Sequence, residues 1–87
     1  YEILNISSSW LIKKGINKKV ANNYIAELFL SLSQDAVNKK SQGFKKLVAE
    51  SQTPNGINMQ FLKELKKAKF YKKYLNSLNN INKRVSR

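Results

Sequence analysis

Five carboxylates, Glu2, Glu27, Asp35, Glu50 and Glu64, are the acidic side chains of this sequence, and no two of them share a helix turn. Acid–base chemistry on a paired carboxylate is therefore not built into the spacing. There is no histidine, which removes the commonest general base and the commonest metal ligand. There is no cysteine, so a thiolate nucleophile, a cysteine metal site and a disulfide framework are all excluded. No phosphate-binding glycine loop is present either. One stretch remains that could meet a ligand: Gln52-Thr53-Pro54-Asn55-Gly56-Ile57-Asn58. Pro54 is the single proline, and it biases Thr53 towards an extended backbone, so a helix arriving from the left stops by Thr53. Asn55 and Gly56 both tolerate positive φ and read as a turn pair. A helical pattern resumes at Ile57. The first amides of that helix lack internal partners and sit at the positive end of its dipole, an arrangement that can bind a carboxylate. The same spacing also serves a plain helix junction.

The elements that would hold this turn are all helical. Tyr1 to Lys14 forms a first helix, with Ile3, Ile6 and Trp10 on one face and Leu4 and Leu11 beside them. Lys13-Lys14-Gly15 is a helix stop, and Asn17 can cap the next helix. That second helix, Lys18 to Lys40, carries Ala21, Ile25, Leu28, Leu32 and Ala36 as one stripe, with Val20, Tyr24, Phe29, Leu30 and Val37 off it. It is apolar on most sides, more than a small monomer can cover. A second copy of the chain would supply the rest, so the sequence predicts a homodimer through Tyr24, Ile25, Leu28, Phe29 and Leu32. Ser41-Gln42-Gly43 breaks the pattern. Phe44 to Ser51 is a short helix with Phe44, Leu47 and Val48 inward. Ile57 to Ala68 places Phe61, Leu62 and Leu65 on one face. After an interruption at Ala68-Lys69, Tyr71, Tyr74, Leu78, Ile81 and Val85 recur at alternating spacings of three and four. The prediction is an all-α fold of five helices, a single domain over residues 1–87.

The net charge of +12 comes from 15 lysines and only two arginines. Base-reading surfaces lean on arginine, because its planar fork makes paired contacts. With eleven asparagines and seven isoleucines, the composition reads as lysine-rich solvated helix faces, and no nucleic-acid partner is expected. No apolar run approaches the roughly 20 residues of a membrane span, and no signal peptide is visible, so the expected location is the cytoplasm, away from membranes. The opening on Tyr1, already inside a helical pattern, points to a piece of a longer protein.

The order of these elements carries a resemblance. The run Gln52-Thr53-Pro54-Asn55-Gly56-Ile57-Asn58-Met59-Gln60-Phe61-Leu62-Lys63-Glu64-Leu65, then Phe70 and a long last helix, resembles the carboxyl end of the pyrroline-5-carboxylate reductase family. That family has a Ser/Thr-Pro-Gly-Gly-Thr-Thr loop, an apolar helix, a short junction and a terminal helix. Trp10-Leu11-Ile12-Lys13-Lys14-Gly15-Ile16 looks like its helix end before a Gly-Leu-Pro turn, and Val20 to Ala36 is similar to its long central helix. The resemblance implies a helical dimerisation domain of the 6-phosphogluconate dehydrogenase C-terminal-like fold, with interlocking helices. It implies a parent oxidoreductase whose missing amino-terminal domain carries NAD(P)H; no cofactor is expected on this fragment. It further implies that Thr53, Asn55, Gly56, Ile57 and Asn58 hold the carboxylate of a cyclic imine, as in proline biosynthesis, with no catalytic residue of their own. Asn55 stands for the loop's first glycine, and Ile57-Asn58 for the paired threonines, so the substrate-contacting hydroxyl maps to the Asn58 amide. Another cyclic imine or carboxylate stays open as substrate. Two readings from other classes stay beside this one: a small basic nucleic-acid-binding module and an immunity-type helical interaction protein.

Overall fold

The computed structural model describes residues 1–86, and among them there are five α-helices, one short 3-10 turn and no strand: α1 (Glu2–Lys13), α2 (Lys18–Lys39), the 3-10 turn Lys40–Gln42, α3 (Phe44–Glu50), α4 (Ile57–Lys67) and α5 (Phe70–Val85). The chain divides into two compact units, the first from Tyr1 to Phe44 and the second from Lys45 onward. The break follows Gly43, which takes φ +86, a conformation that ends the helical run in Ser41-Gln42-Gly43.

In the first unit α1 packs on α2. Gly15 ends α1 at φ +101. Its N–H donates to Ile12 C=O at 3.0 Å, and the Ile16 N–H donates to Leu11 C=O at 3.1 Å. These two bonds are the paired closures that a glycine just past a helix end makes possible. Asn17 caps α2 as its side-chain type predicts: Oδ1 accepts from the amides of Lys19 at 2.9 Å and Val20 at 3.4 Å.

The face of α1 that meets α2 differs from the predicted one. Ile3, Ile6 and Trp10 are exposed, while Leu4 and Leu11 are half-buried and Ser8 is buried. Across from them Ala21 is fully covered and Ile25 is 6% exposed. Small side chains decide this. Ser8 and Ala21 let the helix backbones approach closely, and Ser8 Oγ donates to Asn22 Oδ1, so the buried hydroxyl keeps a partner. Trp10 stays outside, with the Lys14 ammonium 5.8 Å from its ring centre.

In the second unit α4 packs on α5. Leu62 and Leu65 are half-buried, but Phe61 is exposed, contrary to the predicted face. In α3 only Leu47 of the predicted inward residues is half-buried; Phe44 and Val48 are exposed. The last carbonyls of α3 are tied off locally. Val48 C=O accepts from Ser51 Oγ and from Gln52 Nε2, both at 2.9 Å. The α4–α5 junction is two residues, Ala68 and Lys69, and the second is left-handed at φ +61.

Candidate substrate-anion site

The stretch from Thr53 to Asn58 forms one compact turn that opens α4. Thr53 C=O accepts the Gly56 N–H at 2.8 Å, closing a four-residue turn around Pro54 and Asn55. Asn55 takes φ +60, the conformation that the third residue of a Pro-led type II turn requires. Asparagine adopts it more readily than other residues with a Cβ. Gly56 behaves otherwise than its residue type predicts. Its φ is −82 and its ψ is 171, extended backbone open to any residue. Its need for glycine is steric: a Cβ at position 56 would lie 2.8 Å from Thr53 O and 3.1 Å from Thr53 Cβ. The sequence pattern identified a glycine-dependent position for the wrong physical reason. A close approach of backbone to backbone replaces the positive φ.

Gly56 is the N-cap of α4, and no side chain caps that end. The amides of Ile57, Asn58 and Met59 therefore have no intrahelical acceptor, and the dipole of an eleven-residue helix adds to their positive field. The Gly56 amide is not among the free donors, because the turn uses it. Asn58 is also partly engaged: its Nδ2 donates to Ser51 C=O at 3.1 Å, tying the start of α4 to the end of α3. The remaining Asn58 amide hydrogen and its Oδ1 are left for a ligand. Thr53 and Asn55 are exposed, Gly56 is half-buried, and Ile57 is 85% exposed. The turn thus brings the five predicted residues together at one helix end, within a few residues of each other. It offers hydrogen-bond donors to an anion and no group able to take a substrate proton.

The predicted interface set lies on α2. Tyr24, Leu28 and Leu32 are exposed and Phe29 is half-buried. Ile25 departs from the set: α1 and the turns of α2 around it already cover it, so it has little surface left to give a partner. One residue escaped the sequence reading: Ser8, which could have been found from its i+4 spacing to Leu4 and its i+3 spacing to Leu11. Lys69 falls in the interruption expected at Ala68-Lys69, but its left-handed conformation carried no signal, because lysine is not a residue that announces a left-handed turn.

Among the described residues no group of three or more acidic, histidine or cysteine side chains is placed to hold a metal, and no helix is long and apolar enough to cross a membrane. No family model, no curated protein and no solved structure matches this chain.

Proposed function

We propose that this chain is the helical dimerisation and substrate-binding part of an NAD(P)H-dependent reductase of the pyrroline-5-carboxylate reductase type. One observation carries the dimer. The chain exposes 8167 Å². Two separately compact units, each of half its 10.0 kDa mass, would together expose only about 6,300 Å². That excess of roughly 1,900 Å² is spread over both units, and it supports the dimer through the apolar part that α2 presents. The apolar side chains that α2 leaves exposed, Tyr24, Leu28 and Leu32, are the natural centre of that contact.

The turn at Thr53 to Asn58 supports the second half of the reading. Its free amides and the Asn58 side chain would hold the carboxylate of a cyclic imine. The hydride comes from NAD(P)H, held by the parent's dinucleotide domain. The contribution of this chain is orientation of the substrate, which by itself can supply several kcal/mol of barrier lowering. Sedimentation equilibrium of the chain at micromolar concentration tests the dimer, and a species at the monomer mass alone refutes it. Steady-state assay of the parent with pyrroline-5-carboxylate and other cyclic imine carboxylates tests the chemistry. Failure to oxidise NAD(P)H with any of them refutes the reductase assignment and leaves the dimer standing.

A further inference from the structure

A second surface lies on α5, in the second unit. At about 100° per residue, Tyr71, Tyr74, Leu75, Leu78, Ile81 and Val85 fall within about 120° of the helix circumference, with Asn82 the one polar residue among them. Although α5 packs on α4, every residue from Phe70 to Val85 is exposed. Leu78 is 47% exposed and Ile81 58%. A helix of this length owes most of its stability to a covered apolar face, and the described residues supply no such cover.

The opposite side of α5 is cationic. Asn76 and Asn80 stand at its pole, with Lys72 and Lys83 on one side of them and Lys73 and Arg84 on the other. The last acidic residue of the sequence is Glu64, and residues 65–87 carry eight lysines and arginines. The ion pairs among the described residues are Lys39 with Asp35 and Lys46 with Glu50, and neither involves α5. Whatever covers the apolar stripe must therefore also answer this positive charge.

We infer that α5 lies in the surface of an anionic lipid bilayer, with Tyr71, Tyr74, Leu78, Ile81 and Val85 towards the acyl chains and the four cations at the lipid phosphates. A strongly amphipathic helix with cations on its polar side and little net hydrophobicity is the pattern of such surface helices. Long cationic side chains beside the pole reach back to the headgroups, and tyrosines suit a boundary that is apolar on one side and wet on the other. Other occupants answer half of the pattern. A second copy would cover the stripe but set eight cations against eight. A nucleic acid strand would neutralise the cations and leave Leu78, Ile81 and Val85 in water. The expectation of a chain away from membranes follows from the absence of a span, and a helix lying in the surface needs none. Neither the α2 face nor the Thr53–Asn58 turn takes part, so this surface does not depend on the reductase reading.

The test is co-sedimentation of the chain with vesicles of phosphatidylcholine alone and of equal parts phosphatidylcholine and phosphatidylserine, at one fixed salt concentration. Binding to the anionic vesicles and little binding to the neutral ones is expected. K72Q with K73Q should weaken it roughly thirtyfold, and L78N with I81N roughly tenfold or more, while K13Q with K14Q on α1 leaves it within about twofold. Lys72, Lys73, Leu78 and Ile81 are all exposed, so these variants keep the wild-type circular dichroism spectrum. Absence of binding to the anionic vesicles would overturn the surface outright. Equal losses in K72Q with K73Q and in K13Q with K14Q, or wild-type affinity in L78N with I81N, would reduce the binding to unspecific charge attraction and overturn it too. A fall in sedimenting mass of L78N with I81N, without vesicles, would give the stripe to a second copy instead. Tight binding of an oligothymidine by a chain that ignores the anionic vesicles would give the cations to nucleic acid.

Discussion

Gly56 and Asn55 are neighbours in one turn, and replacing each should have opposite consequences. In Gly56→Ala the new methyl would start 2.8 Å from Thr53 O, a backbone atom that cannot swing aside. The same oxygen accepts the Gly56 N–H at 2.8 Å, so relieving the clash means stretching that bond. Losing it costs about 0.5–1.5 kcal/mol. Bond-angle distortion in a turn that stays partly closed adds about 1 kcal/mol. The expected loss is about 1.5–2.5 kcal/mol, which lowers the melting temperature by roughly 6–20 °C in a chain of this length. Asn55→Gly, in contrast, relieves a residue at φ +60 and loosens the unfolded chain, and these two effects nearly cancel, to within about 0.5 kcal/mol. Thermal melts followed by far-ultraviolet circular dichroism, at one fixed protein concentration, make the comparison. A neutral Gly56→Ala, or an Asn55→Gly that costs more than Gly56→Ala, would refute the steric account of this turn.

Leu28→Asp should shift the proposed dimer to monomer in sedimentation, since a lone charge at the centre of an apolar contact loses its hydration without gaining a partner. An unchanged mass at micromolar concentration would exclude the α2 face as the interface. In the proposed parent reductase Asn58→Ala should raise the Michaelis constant for an imine carboxylate about tenfold to a hundredfold and leave NAD(P)H affinity alone; kinetics identical to wild type would reduce Asn58 to its bond with Ser51 C=O. Ala21→Leu should destabilise the first unit by about 1–3 kcal/mol, because Ala21 is fully covered by α1 and has no room for a larger side chain; an unchanged denaturant midpoint would contradict the observed α1–α2 packing.

Local chemistry by itself determined where the helices begin and end. Gly15, Asn17, Gly43 and Pro54 each act through their own backbone freedom, donors or acceptors, and those act at a range of a few residues, so helix limits within a residue or so of those observed were legible. The all-helical class followed from the same signals. The location of the candidate turn was also legible, because proline, asparagine and glycine announce a turn by residue type. Which face of each helix is buried was decided elsewhere. Ile3, Ile6 and Trp10 look like a core stripe, yet Leu4, Ser8 and Leu11 meet α2, because close approach at Ser8 and Ala21 outweighs the larger apolar area of the other face. Hydrophobic periodicity counts apolar side chains; it does not know which neighbouring helix fits between them.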